Sequence, residues 1–161
     1  MARFAANTEV SVAKSRGEIE TLITRYGATA TAFMNEPGRA LIMFQAQGRR
    51  IVFELPLPDQ NEKKFTHGPR GRSSTLTKRP TDKAMAVWEQ ACRQRWRALA
   101  LVIKAKLEAV ESGITSFEDE FLAHILMPDG ITVGNHIKPN IAAAYAGGKM
   151  TPLLPPPAKG H

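Results

Sequence analysis

Cysteine occurs once in this chain of 161 residues, at Cys92. A single thiol excludes an intrachain disulfide and any zinc site built on paired cysteines. Long apolar runs are missing as well: no stretch reaches the roughly 18 apolar residues of a membrane-spanning helix. Met1-Ala2-Arg3-Phe4 lacks the apolar run of a signal peptide, so a cytoplasmic setting without a membrane partner is expected. Phosphate loops, zinc quartets, nucleophile elbows and dinucleotide fingerprints are also lacking. No catalytic residue, metal or cofactor is therefore assigned, and a non-catalytic role is the expectation. The last shortage is of acid: 15 Asp and Glu stand against 22 Lys and Arg, a net charge of +7. That excess favours polyanionic partners, nucleic acid above all.

What is present centres on Thr81 to Ser112, which the spacing predicts as one long helix. Met85, Trp88, Cys92, Trp96, Leu99, Ile103, Leu107 and Val110 recur at steps of three and four. That period keeps them on one face. Arg93, Arg97 and Lys104 recur about 100° or more round the axis, giving a charged face beside the apolar one. Thr81 or Asp82 is the expected cap, and Cys92 reads as a small buried hydrophobe. Leu101, Val87 and Val102 lie off the main stripe, so cover on a second side, or self-association, is open. Arg95 and Lys106 border the stripe and can snorkel or pair with carboxylates.

Before this helix the chain predicts a helix over 15–26, capped by a Ser15–Glu18 box, with Ile19, Leu22, Ile23 and Tyr26 as its stripe and Gly27 as its stop. Three strands follow: Thr29 to Asn35, Arg39 to Gln47, and a run around Ile51, Phe53 and Leu55. Turns at Pro37-Gly38 and Gln47-Gly48 imply an antiparallel meander. Its inner face needs cover from the two helices. Met34, Met43 and Met85 are assigned to the core. After the long helix, a Thr115–Glu118 box predicts a short helix to Leu126, with Phe117, Phe121, Leu122 and Ile125 inward. A turn at Pro128-Asp129-Gly130 and a short extended piece lead to a last helix from Lys138 or Pro139 to Ala146, stopped by Gly147-Gly148. The fold class is thus α+β. One domain over 1–150 has an N-terminal helix, a three-stranded antiparallel meander, a long central helix and two short C-terminal helices. A proline-rich tail, expected to be extended, covers 151–161.

Trp88-Glu89-Gln90-Ala91-Cys92-Arg93-Gln94-Arg95-Trp96-Arg97-Ala98-Leu99 resembles a segment of small proteins encoded by tailed bacteriophages and prophages. So do Phe117-Glu118-Asp119-Glu120-Phe121-Leu122 and Leu126-Met127-Pro128-Asp129-Gly130. The similarity runs from Arg3-Phe4 to Leu154. That group carries no established activity, so the resemblance supplies no site residues. It implies a phage origin and a host-cytoplasmic setting.

Residues 59–83 break every pattern and read as a long basic loop, punctuated by Gly68, Pro69, Gly71, Ser73, Ser74 and Pro80. Loops of this length are functional or disordered. The candidate nucleic-acid-binding residues are Arg49, Arg50, Lys63, Lys64, Arg70, Arg72, Lys78, Arg79 and Lys83, extended along the long helix by Arg93 and Arg97. Phosphate contacts by these cations would release counterions and make binding steeply salt-dependent. Phe65 and His67 can stack on unpaired bases. The plainer reading of the same residues is a solvated loop with no partner. Trp88 and Trp96 share the apolar stripe and read as core rather than as a stacking surface. Glu118, Glu120 and His124 carry the weaker reading of a metal-dependent nuclease, since Glu120 and His124 share a helix face. Asp129 and His136 could join them only through the fold, and His67, His136 and His161 are otherwise expected at the surface. The leading expectation is a phage-encoded, non-catalytic protein that binds nucleic acid, single-stranded or sequence-tolerant, in phage DNA metabolism or protection. The alternative is a protein-binding inhibitor or modulator of a host enzyme or defence complex.

Overall fold

Ser11 sets the start of the first helix. Its Oγ accepts the Lys14 N–H, satisfying one of the donors left open at a helix N-terminus. In the computed structural model, which describes residues 5–72, 75–150 and 152–153, α1 spans Val12–Arg25. The expected Ser15–Glu18 box does not form. Ser15 lies inside the helix, fully buried, and its Oγ has no hydrogen-bond partner among the described residues.

The meander forms as expected. β1 (Ala30–Glu36), β2 (Arg39–Ala46) and β3 (Arg49–Pro56) pair antiparallel in the order β1-β2-β3. Two-residue turns join them. Gln47 and Gly48 both take positive φ, 49° and 72°, which matches the twist of a tight hairpin. Phe33, Ile42 and Phe53 share one row across the sheet. On this inner face Ala40, Ile42, Phe44, Ala46, Ile51, Phe53 and Leu55 are buried. Alternation puts Met34 and Met43 on the other face, so the core assignment fails for both: Met34 is 45% exposed and Met43 half-buried.

α3 (Thr81–Glu111) is the predicted long helix, one residue shorter at its C-terminal end. Cys92, Trp96, Leu99, Ala100, Ile103 and Leu107 are buried along one face. Pro80, not Thr81 or Asp82, occupies the cap position, with no side-chain cap bond. Met85, in the first two turns, is exposed because the helix overhangs the core there. Val87 and Val102 are exposed as well, so α3 is covered by the core on one side. α1 packs along it, and the ring of Trp96 lies 6.4 Å from that of Phe33.

The largest departure is the stretch after β3. It is not one structureless loop. Lys63–Thr66 forms a short helix, α2, and β4 (His67–Pro69) pairs antiparallel with β5 (Leu76–Lys78) in a small hairpin. Phe65 anchors this arm as a buried side chain, and α2 packs on α3. Composition rich in Gly, Pro and charge hid a hairpin whose register depends on backbone bonds rather than apolar alternation.

After α3, α4 (Phe117–Phe121) is capped by Ser116, whose Oγ accepts the Asp119 N–H. The box is thus one residue later than read from the sequence, and the helix is shorter. It passes at Leu122 into one 3-10 turn ending at His124. Phe121 is fully buried and meets Phe44 and Phe53 edge-on at 5.9 and 6.1 Å. Leu122 is exposed, contrary to its assignment to the core face. α5 (Val133–Gly147) begins five residues before the predicted Lys138, with Thr132 as cap and Pro139 inside it. Gly148 ends it with φ +63°. Of the 151–161 tail only Pro152 and Leu153 are described; the Asn140 side chain donates to both of their carbonyls. The remainder of that expected tail lies outside the described residues. Among the described residues no helix is long and apolar enough to cross a membrane.

Candidate nucleic-acid interface

Arg79 builds the basic arm. Its Nη1 donates to the carbonyls of Lys64 and Phe65, both at 2.8 Å, so its guanidinium closes the open end of α2. Its backbone N–H reaches the Thr66 carbonyl at 2.7 Å. The guanidinium lies flat over Gly68: a Cβ added there would fall 2.5 Å from Arg79 Nη2. A side chain at Gly68 would have to push that guanidinium aside, and the arm is held by a cation that the sequence offered only as a phosphate contact.

Across the hairpin Lys78 pairs with His67 and Thr77 with Gly68. That register, with the first turn of α3, places Arg70, Lys78, Arg79 and Lys83 around one cavity of about 510 Å³. Its other lining residues are Gly68, Pro69, Gly71, Thr77 and Pro80. No carboxylate lines it. Among the described residues Arg70, Arg72, Lys78 and Lys83 make no ion pair, and all four are exposed. Arg70, Lys78, Arg79 and Lys83 thus set like charges around this hollow, a repulsion that an anion between them would relieve.

The remaining candidates are dispersed. Lys63 is exposed on α2, while Lys64 pairs with Glu62. Arg93 grips Gln90, whose amide donates to the carbonyls of Ala6 and Thr8. Arg97 pairs with Glu18 of α1. Arg49 pairs with Glu118 at 3.0 Å, and Arg50 is exposed beside it. β3 alone separates Arg49 from Pro56 by about 23 Å at 3.3 Å per residue. Arg49 and Arg50 thus lie at the opposite end of that strand from the arm. The eleven cations do not make one patch. Phe65, being buried, is closed to base stacking, and His67 is half-buried with Nδ1 2.9 Å from the Thr66 hydroxyl.

The acidic cluster is tied up in pairs. Glu118 meets Arg49, and Glu120 meets Lys106 at 2.9 Å. His124 stacks on Phe53 with ring centroids 4.1 Å apart. Burial there holds the imidazole below its ordinary pKa, helped by the positive charge of Lys106 and of Lys138. Among the described residues no three His, Cys, Asp or Glu side chains are grouped to hold a metal ion. His136 is not the surface residue expected. Its side chain is largely covered, with Nε2 2.7 Å from Asp129 Oδ2. The Ile131 N–H and then His136 hold the Asp129 carboxyl below the usual carboxylate range.

Sequence reasoning found the cations but not their division of labour. No local signal separates Arg79 from Lys78; only the fold tells which one meets a helix end. Gln90 was missed for the same reason, since its partners lie more than 80 positions away. Compared with protein-family models, curated proteins and solved structures, the chain finds no match.

Proposed function

We propose that this protein binds nucleic acid through its phosphates at the hairpin arm, without catalysing a reaction on it. One observation carries the reading: Arg70, Lys78, Arg79 and Lys83 converge on a single hollow free of carboxylates. Gly71, exposed and with open space where a side chain would stand, lets the backbone lie close to a ligand there. Such contacts follow a phosphate chain and carry no base readout, so binding would tolerate any sequence. A phage origin, a host-cytoplasmic setting and a role in phage DNA metabolism or protection belong to the same proposal, on the resemblance of the Trp88–Leu99 segment.

The test is fluorescence anisotropy with single- and double-stranded DNA and RNA over a salt series. The informative variant is Arg70→Ser with Lys78→Ser and Lys83→Ser, which leaves Arg79 to hold the arm. Loss of three contacts should reduce the slope of log K against log salt by about 2 for a single strand. Arg49→Ser with Arg50→Ser, at the far end of β3, should leave affinity near wild type. Absence of binding to every probe at low salt would overturn the proposal.

A second reading is a protein-binding inhibitor or modulator of a host enzyme or defence complex. It is favoured by α5, where Ile141 is 40% and Tyr145 89% exposed. Recovery of one protein from nuclease-treated host lysate, abolished by Tyr145→Ser with Ile141→Ser, would support it.

A further inference from the structure

We infer that β1 is a pairing edge for a second copy of this chain, joining two meanders into one antiparallel sheet. The two outer strands are treated differently. On β3 the edge is occupied: the Arg50 carbonyl accepts the Leu126 N–H at 2.8 Å, and Ile51 bridges Ile125. On β1 no described residue does the same.

The register tells which groups are open. Glu36 faces Arg39 across a two-residue turn, the hydrogen-bonded pair that closes such a hairpin. Alternation then turns the backbone groups of Ala30, Ala32 and Met34 towards β2 and those of Thr31, Phe33 and Asn35 outward. Edge strands are normally blunted by charge, proline or a bulge. Ala30 to Asn35 contains neither charge nor proline.

A second copy is the occupant because the strand is complementary to itself. With a two-fold axis at Phe33, that residue faces its own copy and Thr31 faces Asn35. Each facing pair exchanges two backbone bonds. No like charges meet along Ala30 to Asn35 in this register, and Ala32 stands beside the other copy's Met34. The outer apolar surface of Met34, Leu41, Met43 and Val52, half-buried or exposed in one chain, then runs on into the second. Symmetric closure by one patch is the commonest form of protein assembly.

The test is sedimentation equilibrium over a concentration series at low and high salt. A dimer is expected, and it should tighten as salt rises, because two chains of +7 repel. Nucleic-acid binding would weaken over the same series, so the two behaviours are separable. Thr31→Pro removes an outward N–H and none from the β1–β2 ladder, and should weaken the dimer about tenfold or more. Ala32→Cys with Met34→Cys leaves the backbone donors in place and should give a disulfide-linked dimer on mild oxidation, where wild type gives none. A monomer at every concentration and salt overturns the inference. So does a dimer that the cysteine variant fails to trap.

Discussion

Ser15 is a hydroxyl in the wrong place. It is fully buried between α1 and its neighbours and bonds to nothing among the described residues. Burying such a group costs about 1–3 kcal/mol, and alanine is also the better helix former. Ser15→Ala should therefore raise stability by about 1 kcal/mol, read as a higher urea midpoint at unchanged slope. Gly68 argues the other way. A side chain there displaces the Arg79 guanidinium from the carbonyls of Lys64 and Phe65. Gly68→Ala should loosen the arm, seen as faster amide exchange at Arg79 and Phe65, with α3 still protected around Ile103. His124 brings a pH dependence. Its folded pKa lies below the ordinary 6.5, so on acidification the unfolded chain takes up the proton first. The stabilisation is complete above about pH 6.5 and is lost as pH falls through the folded value. Lys106 and Lys138 face the ring and work in the same direction, while Glu120 is occupied by Lys106. The melting temperature should fall from pH 7 to 5, and His124→Gln should flatten that fall. The Asp129–His136 pair acts lower: the Asp129 carboxylate is lost only below the usual carboxylate range.

At the scale of elements, legibility followed apolar periodicity. α3 could be read almost to the residue, because Cys92, Trp96, Leu99, Ile103 and Leu107 mark one face at helical spacing. The meander could be read because its turns carry Pro37-Gly38 and Gln47-Gly48. α4 was read too long, since the switch to a 3-10 turn at Leu122 leaves no mark on spacing. α5 is longer than its sequence suggests, because Pro139, a residue suited to a first turn, is tolerated here inside the helix. The hairpin arm was illegible for a different reason: its strands are three residues each and mostly exposed, so no alternation exists to be read. The packing that holds these elements centres on Phe121. Phe121→Ala should cost about 3–5 kcal/mol, since three phenylalanine rings lose their common partner. Thermal melts followed by circular dichroism would check it.

For the whole molecule, charge and fold are distributed on different plans. The apolar core lies between the inner sheet face and α1, α3 and α4, while Arg70, Lys78 and Lys83, without an ion-pair partner among the described residues, stand at the N-terminal end of α3. Arg79, Arg93 and Arg97 are tied to partners within the chain, so their substitution changes local contacts as well as charge. The same geography gives the protein two intrinsic optical reporters. Trp88 is half-buried at the root of the arm, its Nε1–H donating to the Pro58 carbonyl at 2.7 Å. Trp96 is buried in the core beneath the Arg16 guanidinium, two turns further along α3. One indole thus looks towards solvent and the arm, the other into hydrocarbon. Acrylamide should quench the first and spare the second, splitting the emission into a red and a blue component. A ligand seated on the arm would disturb only the red one, while unfolding would merge the two.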